Sequence, residues 1–289
     1  MNMIDTYKRK TFLLEGALGE RLKHEYNIYP DADIALGAHI YTPAGRAALK
    51  ELWTGYAATA KKHGLPFLAT TPTRRSDKDR IASSKYSEEI LQDNINFLKE
   101  IRDEAAMEMY VGALVGCKNN AYQADAVLSE TAAEQYHSWS VERFAAGKVD
   151  FFLAGIMPAL SEAAGMAKAI SRVNIPYIIS FMIRDNGRLI DGTAIHDAIN
   201  HIDDKTDNPP LGYMTNCVHP DILYKALSCD FNQTASVKNR FCGIQANASP
   251  LKPEELDHAE ELHLSDPRHL ATRTIRLKEQ INLKIVGGC

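Results

Sequence analysis

The stretches MYVGALVG, at residues 109–116, and VDFFLAGI, at residues 149–156, are short apolar runs rich in β-branched and aromatic residues. Because they are apolar at almost every position, they are typical of parallel strands covered on both faces. Six more runs of this kind lie along the chain, at residues 11–16, 66–71, 176–183, 211–217, 241–247 and 283–288. The sequence therefore predicts eight strands.

Amphipathic segments lie between these runs. Residues 44–64 place Leu49, Leu52 and Trp53 at helical spacing and end at Gly64, a common helix stop. Further helices are predicted at residues 84–105, 129–148, 161–172, 192–203, 219–228 and 266–282. Eight strands with helices between them in a chain of 289 residues predict an α/β fold, the (β/α)8 TIM barrel.

The barrel is predicted to span residues 1–289 as one catalytic domain. A doubly wound open sheet is the alternative arrangement of the same elements. The turn after the first strand reads GALGE at residues 16–20, without the G-x-G-x-x-G of a dinucleotide site. A Rossmann-type nucleotide site is therefore not indicated.

Composition excludes several classes of function. The net charge is −4 with acids and bases interspersed, so no basic stripe indicates a nucleic-acid partner. No run approaches the ~18 apolar residues of a membrane span. The first ten residues, MNMIDTYKRK, lack the apolar centre of a secretory signal. The five cysteines are an odd number, which indicates reduced thiols in the cytoplasm rather than a disulfide framework.

Two of the cysteines close predicted strands. Cys217 ends the sixth run and Cys289 ends the eighth. Because the active site of such a barrel lies at the carboxyl ends of its strands, these thiols are expected to face each other across the mouth. Converging thiolates are suitable ligands for Zn²⁺. The alternative is that each thiol is buried separately as a core residue.

Several motifs together resemble those of the homocysteine S-methyltransferases. The resemblance keeps its order from about residue 11 to the end of the chain and covers the strand ends. The matching stretches are LLEGALGERL (13–22), LATTPTRRS (68–76), SFMIRDNGRLIDGTAIHDAI (180–199), GYMTNCVHPDIL (212–223) and IVGGC (285–289). The Asp-Gly-Thr, Asn-Cys and Gly-Gly-Cys motifs are specific in combination, although each alone would be weak.

The resemblance implies zinc-dependent methyl transfer to a thiol such as homocysteine, giving methionine or a related thioether. Cys217 and Cys289 would be catalytic residues as zinc ligands, since a substrate thiol bound to the same zinc loses its proton and becomes a nucleophile. Substrate contacts are expected at Glu15, Gly16, Thr71 and Asn216. The expected partners are therefore a small thiol and a small methyl donor, either a sulfonium such as S-methylmethionine or a quaternary ammonium such as betaine.

The sequence also departs from the family pattern. The family ends in two adjacent cysteines, whereas this chain shows Cys289 alone. A short tail beyond Cys289 is one explanation; a third ligand from Cys117 or His219 is another. Their simpler interpretations are preferred: packing for Cys117 and the start of the next helix for His219. Gly155 replaces a glutamate that binds the amino group of homocysteine, which puts homocysteine in question.

Two other functions stay open at this point. A barrel of the same family that binds a metal or ligand but has lost homocysteine methylation would explain Gly155 and the single terminal cysteine. A lyase or hydrolase using Glu15 and Asp185 as acid and base is the third candidate. Arg74 and Arg75 are interpreted as a solvated surface. A homo-oligomer is compatible with the sequence, which carries no signal for or against it.

Overall fold

The computed structural model describes residues 2–251 and 265–289. Within them, eight parallel strands form a closed barrel in chain order, with β1 paired to both β2 and β8. The predicted (β/α)8 barrel is thus confirmed. The strands are β1 (Phe12–Leu14), β2 (Phe67–Thr70), β3 (Met109–Gly116), β4 (Phe151–Met157), β5 (Tyr177–Phe181), β6 (Gly212–Val218), β7 (Phe241–Ala246) and β8 (Ile285–Gly288).

Helices cover the outside of the barrel. They are α1 (Met3–Arg9), α2 (Gly19–Tyr26), α3 (Pro43–Lys62), α4 (Lys78–Ser83), α5 (Glu89–Ala105), α6 (Glu130–Ala146), α7 (Leu160–Ser171), α8 (Ile195–Lys205), α9 (Pro220–Leu227), α10 (Ala235–Arg240) and α11 (Pro267–Arg276), with 3₁₀ turns at Leu36–Tyr41, Asp230–Asn232 and Leu277–Glu279. Each predicted helix overlaps one of these. The unpredicted α1, α2, α4 and α10 have six to eight residues, too short to show a period of 3.6.

Alternation along the strands separates two layers of core. The barrel interior is filled by large side chains such as Phe12, Phe151 and Leu153, each of which is buried. Their neighbours Phe152 and Ala154 face outward and pack with the surrounding helices. Full burial of each large apolar side chain stabilises the fold by about 1.5–3 kcal/mol. This alternation also decides which residues at the strand ends face the mouth of the barrel.

No helix among the described residues is both long enough and apolar enough to cross a membrane.

Candidate active site

A bulge at the end of β6 turns the side chain of Cys217. Met214 faces the barrel interior, so regular alternation would point Asn216 inward and Cys217 outward. The pairing of β6 with β7 shifts register between Asn216 and Val218, and Cys217 has a left-handed φ of 62°. β-Bulges re-aim side chains in this way. As a result Cys217 and its inward-facing neighbour Asn216 both reach the mouth.

Glycines bring Cys289 to the same place. A Cβ on Gly287 would lie 2.9 Å from the carbonyl oxygens of Leu14 and Glu15, so β8 can approach β1 only with glycine at this position. The amide of Gly288 donates to the Glu15 carbonyl oxygen at 3.3 Å. The amide of Cys289 donates to the carbonyl oxygen of Ala246 at 2.9 Å, which holds the terminal cysteine against β7.

The structure therefore brings Cys217 and Cys289 together, 72 residues apart in sequence. Their Cα atoms are 5.2 Å apart and their sulfur atoms are joined in a disulfide. Separate burial of the two thiols, the alternative from the sequence, is wrong. The disulfide also differs from the expected reduced thiols, because two sulfurs aimed at one point are close enough to bond. The other three cysteines, Cys117, Cys229 and Cys242, are free thiols.

A short hydrogen-bond chain leads to the Cys217 sulfur. The Ser180 hydroxyl, on the inward face of β5, donates to Oδ1 of Asn216 at 2.5 Å. This bond fixes the orientation of the amide, whose Nδ2 then donates to Sγ of Cys217 at 3.7 Å. Both Ser180 and Asn216 are buried. The sequence predicted Asn216 but missed Ser180; its position in the predicted strand 176–183, at the start of the matching stretch 180–199, was the available signal.

Glu15 is held inside the protein between β2 and α3. Nε1 of Trp53 donates to Glu15 Oε2 at 2.6 Å, and the Thr70 amide donates to the same oxygen at 3.0 Å. The Thr70 hydroxyl donates to the other carboxylate oxygen. Burial raises the pKa of Glu15 to about 7, although these hydrogen bonds oppose the rise. The contacts indicate a structural role here, while substrate contact by Glu15 stays a prediction.

Gly16 and Thr71, the other predicted substrate contacts, also have local structural partners. A Cβ on Gly16 would lie 2.6–2.8 Å from atoms of the Tyr56 ring, so glycine lets this aromatic side chain cover the turn after β1. The Thr71 hydroxyl accepts from the Leu114 amide at 3.3 Å and bonds to the Thr73 hydroxyl at 2.7 Å. Their contacts with substrate stay predictions.

The end of β4 has the altered chemistry that the sequence indicated. Gly155 faces the barrel interior, in alternation with the inward-facing Leu153. A Cβ on Gly155 would lie 2.5 Å from Cδ1 of Leu114. The volume that a side chain at this position would occupy is thus filled by a leucine from β3.

Two candidate ligands have the simpler roles that the sequence favoured. His219 caps α9: its Nδ1 accepts from the Asp221 amide at 3.2 Å, and Pro220 occupies the first helical position. Cys117 is buried in the core outside the barrel and its thiol contacts the carbonyl oxygen of Asn119. Among residues 2–251 and 265–289, no group of three His, Cys, Asp or Glu side chains is arranged to hold a metal ion.

Glu15 and Asp185, the acid and base of the third candidate function, have separate partners. Glu15 is buried against Trp53, whereas Asp185 is exposed and forms an ion pair with Lys225 on α9 at 2.7 Å. Asp185 therefore lies on the surface of the loop after β5, and the geometry gives the lyase or hydrolase no support.

Comparisons with known proteins agree with this architecture. The family described as Homocysteine S-methyltransferase matches residues 12–289. The fold is similar to the homocysteine methyltransferase MmuM of Escherichia coli in its oxidized form, with 18% identity, a TM-score of 0.70, and coverage of 99% of this chain and 93% of that one. The metallated form gives 18% identity, a TM-score of 0.67 and coverages of 98% and 92%. No curated protein sequence matches the chain.

Proposed function

Since the chain belongs to the homocysteine S-methyltransferase family and is a methyltransferase of that type, we propose that it transfers a methyl group to a small thiol with the help of zinc. The donor in this proposal is a small sulfonium or quaternary ammonium compound, and the product is methionine or a related thioether. The observation that carries the proposal is the meeting of Cys217 and Cys289 at the barrel mouth. We place the reaction in the cytoplasm, as a step of methionine biosynthesis.

The sulfurs of Cys217 and Cys289 are chemically suitable ligands for zinc. Thiolates are preferred zinc ligands, and a catalytic zinc site has three protein ligands with one position open to substrate. Once their disulfide is reduced, Cys217 and Cys289 would supply two of these ligands. A bound Zn²⁺ would act as a Lewis acid that keeps the acceptor thiol in its nucleophilic thiolate form. A metallated form of a structurally similar methyltransferase supports the binding of a metal.

The remaining residues of the mouth position the reactants. Ser180 holds the Asn216 amide, and the amide donates to the Cys217 sulfur, so this sulfur keeps one orientation. Methyl transfer needs in-line alignment of donor and acceptor and little acid–base assistance. A rigid rim built on strand ends suits that requirement better than mobile loops would.

Metal analysis and turnover test the proposal together. Under reducing conditions, we expect the full-length protein to bind one zinc per chain. Cys217→Ser should lose the zinc, and Cys229→Ser, which changes a free thiol outside the mouth, should keep it. Methyl transfer is then measured with S-methylmethionine and betaine as donors. Zinc binding without methyl transfer to any thiol would instead support a metal-binding barrel that has lost the reaction; no zinc in any form would overturn the proposal.

A further inference from the structure

Two glycines lie side by side near the carboxyl ends of the neighbouring strands β3 and β4. Gly116 and Gly155 are register partners, and both face the barrel axis in alternation with inward-facing residues of their strands. A Cβ on Gly116 would lie 2.7 Å from Cγ of Arg74 and closer still to the Arg74 carbonyl oxygen. Leu114 fills the corresponding space at Gly155. The glycines thus make room at the mouth for one apolar side chain and one arginine.

The loop after β2 is pinned so that Arg74 stays above Gly116. The Thr71 amide donates to the Gly112 carbonyl oxygen at 2.9 Å, and its hydroxyl accepts from the Leu114 amide. The Thr73 hydroxyl donates to the Leu114 carbonyl oxygen at 3.1 Å. These bonds continue the β2–β3 pairing past the end of β2. Arg74, the next residue after Thr73, is therefore held by backbone contacts rather than by its own charge.

Arg74 is partly buried, and within the described part of the chain no acidic side chain forms an ion pair with it. Nearby acids are engaged elsewhere: Asp77 pairs with Arg80, and Glu162 pairs with His137 at 3.0 Å. An arginine at the mouth that forms no ion pair within the protein is available to bind an anionic group of a substrate. A guanidinium matches a carboxylate in geometry as well as charge.

We infer that the acceptor is a thiol that carries a carboxylate but no α-ammonium group, and that Arg74 binds this carboxylate. The inference rests on the methyl transfer proposed above. The thiol end would lie at Cys217 and Cys289, and the carboxylate end across the mouth at β3. An ammonium group beside Leu114 would lose its water without a carboxylate to replace it, since the Glu15 carboxylate is already bound by Trp53 and Thr70.

Three acceptors that differ by one group test the inference. Homocysteine is compared with 4-mercaptobutyrate, which lacks only the amino group, and with 3-aminopropanethiol, which lacks only the carboxylate. We expect the highest kcat/KM with 4-mercaptobutyrate. Arg74→Gln should raise the KM for this acceptor by about 10- to 100-fold, the value of a charge-assisted hydrogen bond, and leave 3-aminopropanethiol unaffected. Arg172→Gln, which changes an exposed arginine directly after α7, is the control and should change KM less than about twofold.

The two proposals fail in different ways. Methyl transfer with a preference for homocysteine, or equal effects of Arg74→Gln on all three acceptors, would overturn the acceptor class and leave the reaction intact. Absence of methyl transfer to every thiol would overturn the reaction. Calorimetric binding of 4-(methylthio)butyrate, the methylated product, tests Arg74 without turnover. Binding that weakens with Arg74→Gln supports the inference, whereas equal binding by both proteins contradicts it.

Discussion

The two sides of the barrel mouth differ in chemistry and in what holds them. The first side, the sulfur half, comprises Ser180, Asn216, Cys217 and Cys289. Ser180 and Asn216 are buried, Cys217 is partly buried and Cys289 is exposed, and the two sulfurs are joined. The second side, which we call the arginine half, comprises Arg74, Leu114, Gly116 and Gly155 and has an apolar wall with one cation. The sulfur half retains the motifs of the family, whereas the arginine half departs from them at Gly155, although its Arg74 lies in the matching stretch 68–76. This difference indicates that the reaction and the choice of acceptor are determined by separate residues.

The largest expected effect is on stability, at the border of the arginine half. The pKa of Glu15 is raised from 4.5 to about 7, so the folded protein binds a proton more tightly than the unfolded chain does. The contribution of Glu15 to the free energy of unfolding is therefore fully present below about pH 4.5 and is lost as pH rises through 7. Compared with Glu15→Gln, the wild type should lose up to about 3 kcal/mol between pH 4.5 and 8. Denaturant unfolding at several pH values measures this difference.

The matched control for Glu15 is Glu108→Gln. The Lys10 ammonium and the Thr6 hydroxyl lower the pKa of Glu108 from 4.5 to about 2. Glu108 therefore stabilises the fold above about pH 4.5, and this stabilisation is lost only as pH falls toward 2. If wild type and Glu15→Gln showed parallel stability curves from pH 4.5 to 8, the raised pKa of Glu15 would be refuted.

The next largest effect is a change in acceptor specificity, produced by adding a carboxylate to the arginine half. In the double variant Gly155→Glu, Leu114→Ala, the smaller residue removes the 2.5 Å contact and the new carboxylate faces the mouth. We expect the ratio of kcat/KM for homocysteine over 4-mercaptobutyrate to rise about tenfold or more, because an ammonium gains a charge-assisted bond. The control Gly155→Gln, Leu114→Ala has the same shape without the charge. An equal rise in both double variants would show that space, rather than charge, limits homocysteine.

The smallest effect is expected within the sulfur half. Ser180→Ala removes the hydrogen bond that orients the Asn216 amide. Because this residue acts through a neighbour of the Cys217 sulfur, kcat should fall by about 3- to 10-fold with little change in the KM for the acceptor. Ser180→Thr keeps the hydroxyl and should restore activity. Thr215→Val is the control. It also removes a buried hydroxyl, which donates to the Phe181 carbonyl oxygen, but Thr215 lies on the face of the sheet opposite to Ser180 and Asn216. A loss confined to KM would contradict a positioning role.

The sequence predicted much of the sulfur half because its residues are adjacent along the chain. Asn216 precedes Cys217, and both Gly287 and Gly288 precede Cys289, so a strand followed by a motif was enough to place them. Ser180 was missed although it begins the matching stretch 180–199, since its partner Asn216 lies on a different strand, 36 residues away. Arg74 was interpreted as solvated surface because consecutive arginines in a loop usually are, and its half-buried position depends on glycine in another strand.

By itself, the sequence determined the order of the eight strands and of seven helices, and hence the barrel, since apolar runs and helical periods report local burial. Its motifs indicated the family. Only the tertiary structure decided which side chains meet. A bulge with a left-handed φ turned Cys217 toward Cys289, and hydrogen bonds along β2 and β3 set Arg74 above Gly116. The physical reason is that side-chain direction at a strand end depends on register and on the partner strand, and neither is contained in the local pattern of one strand.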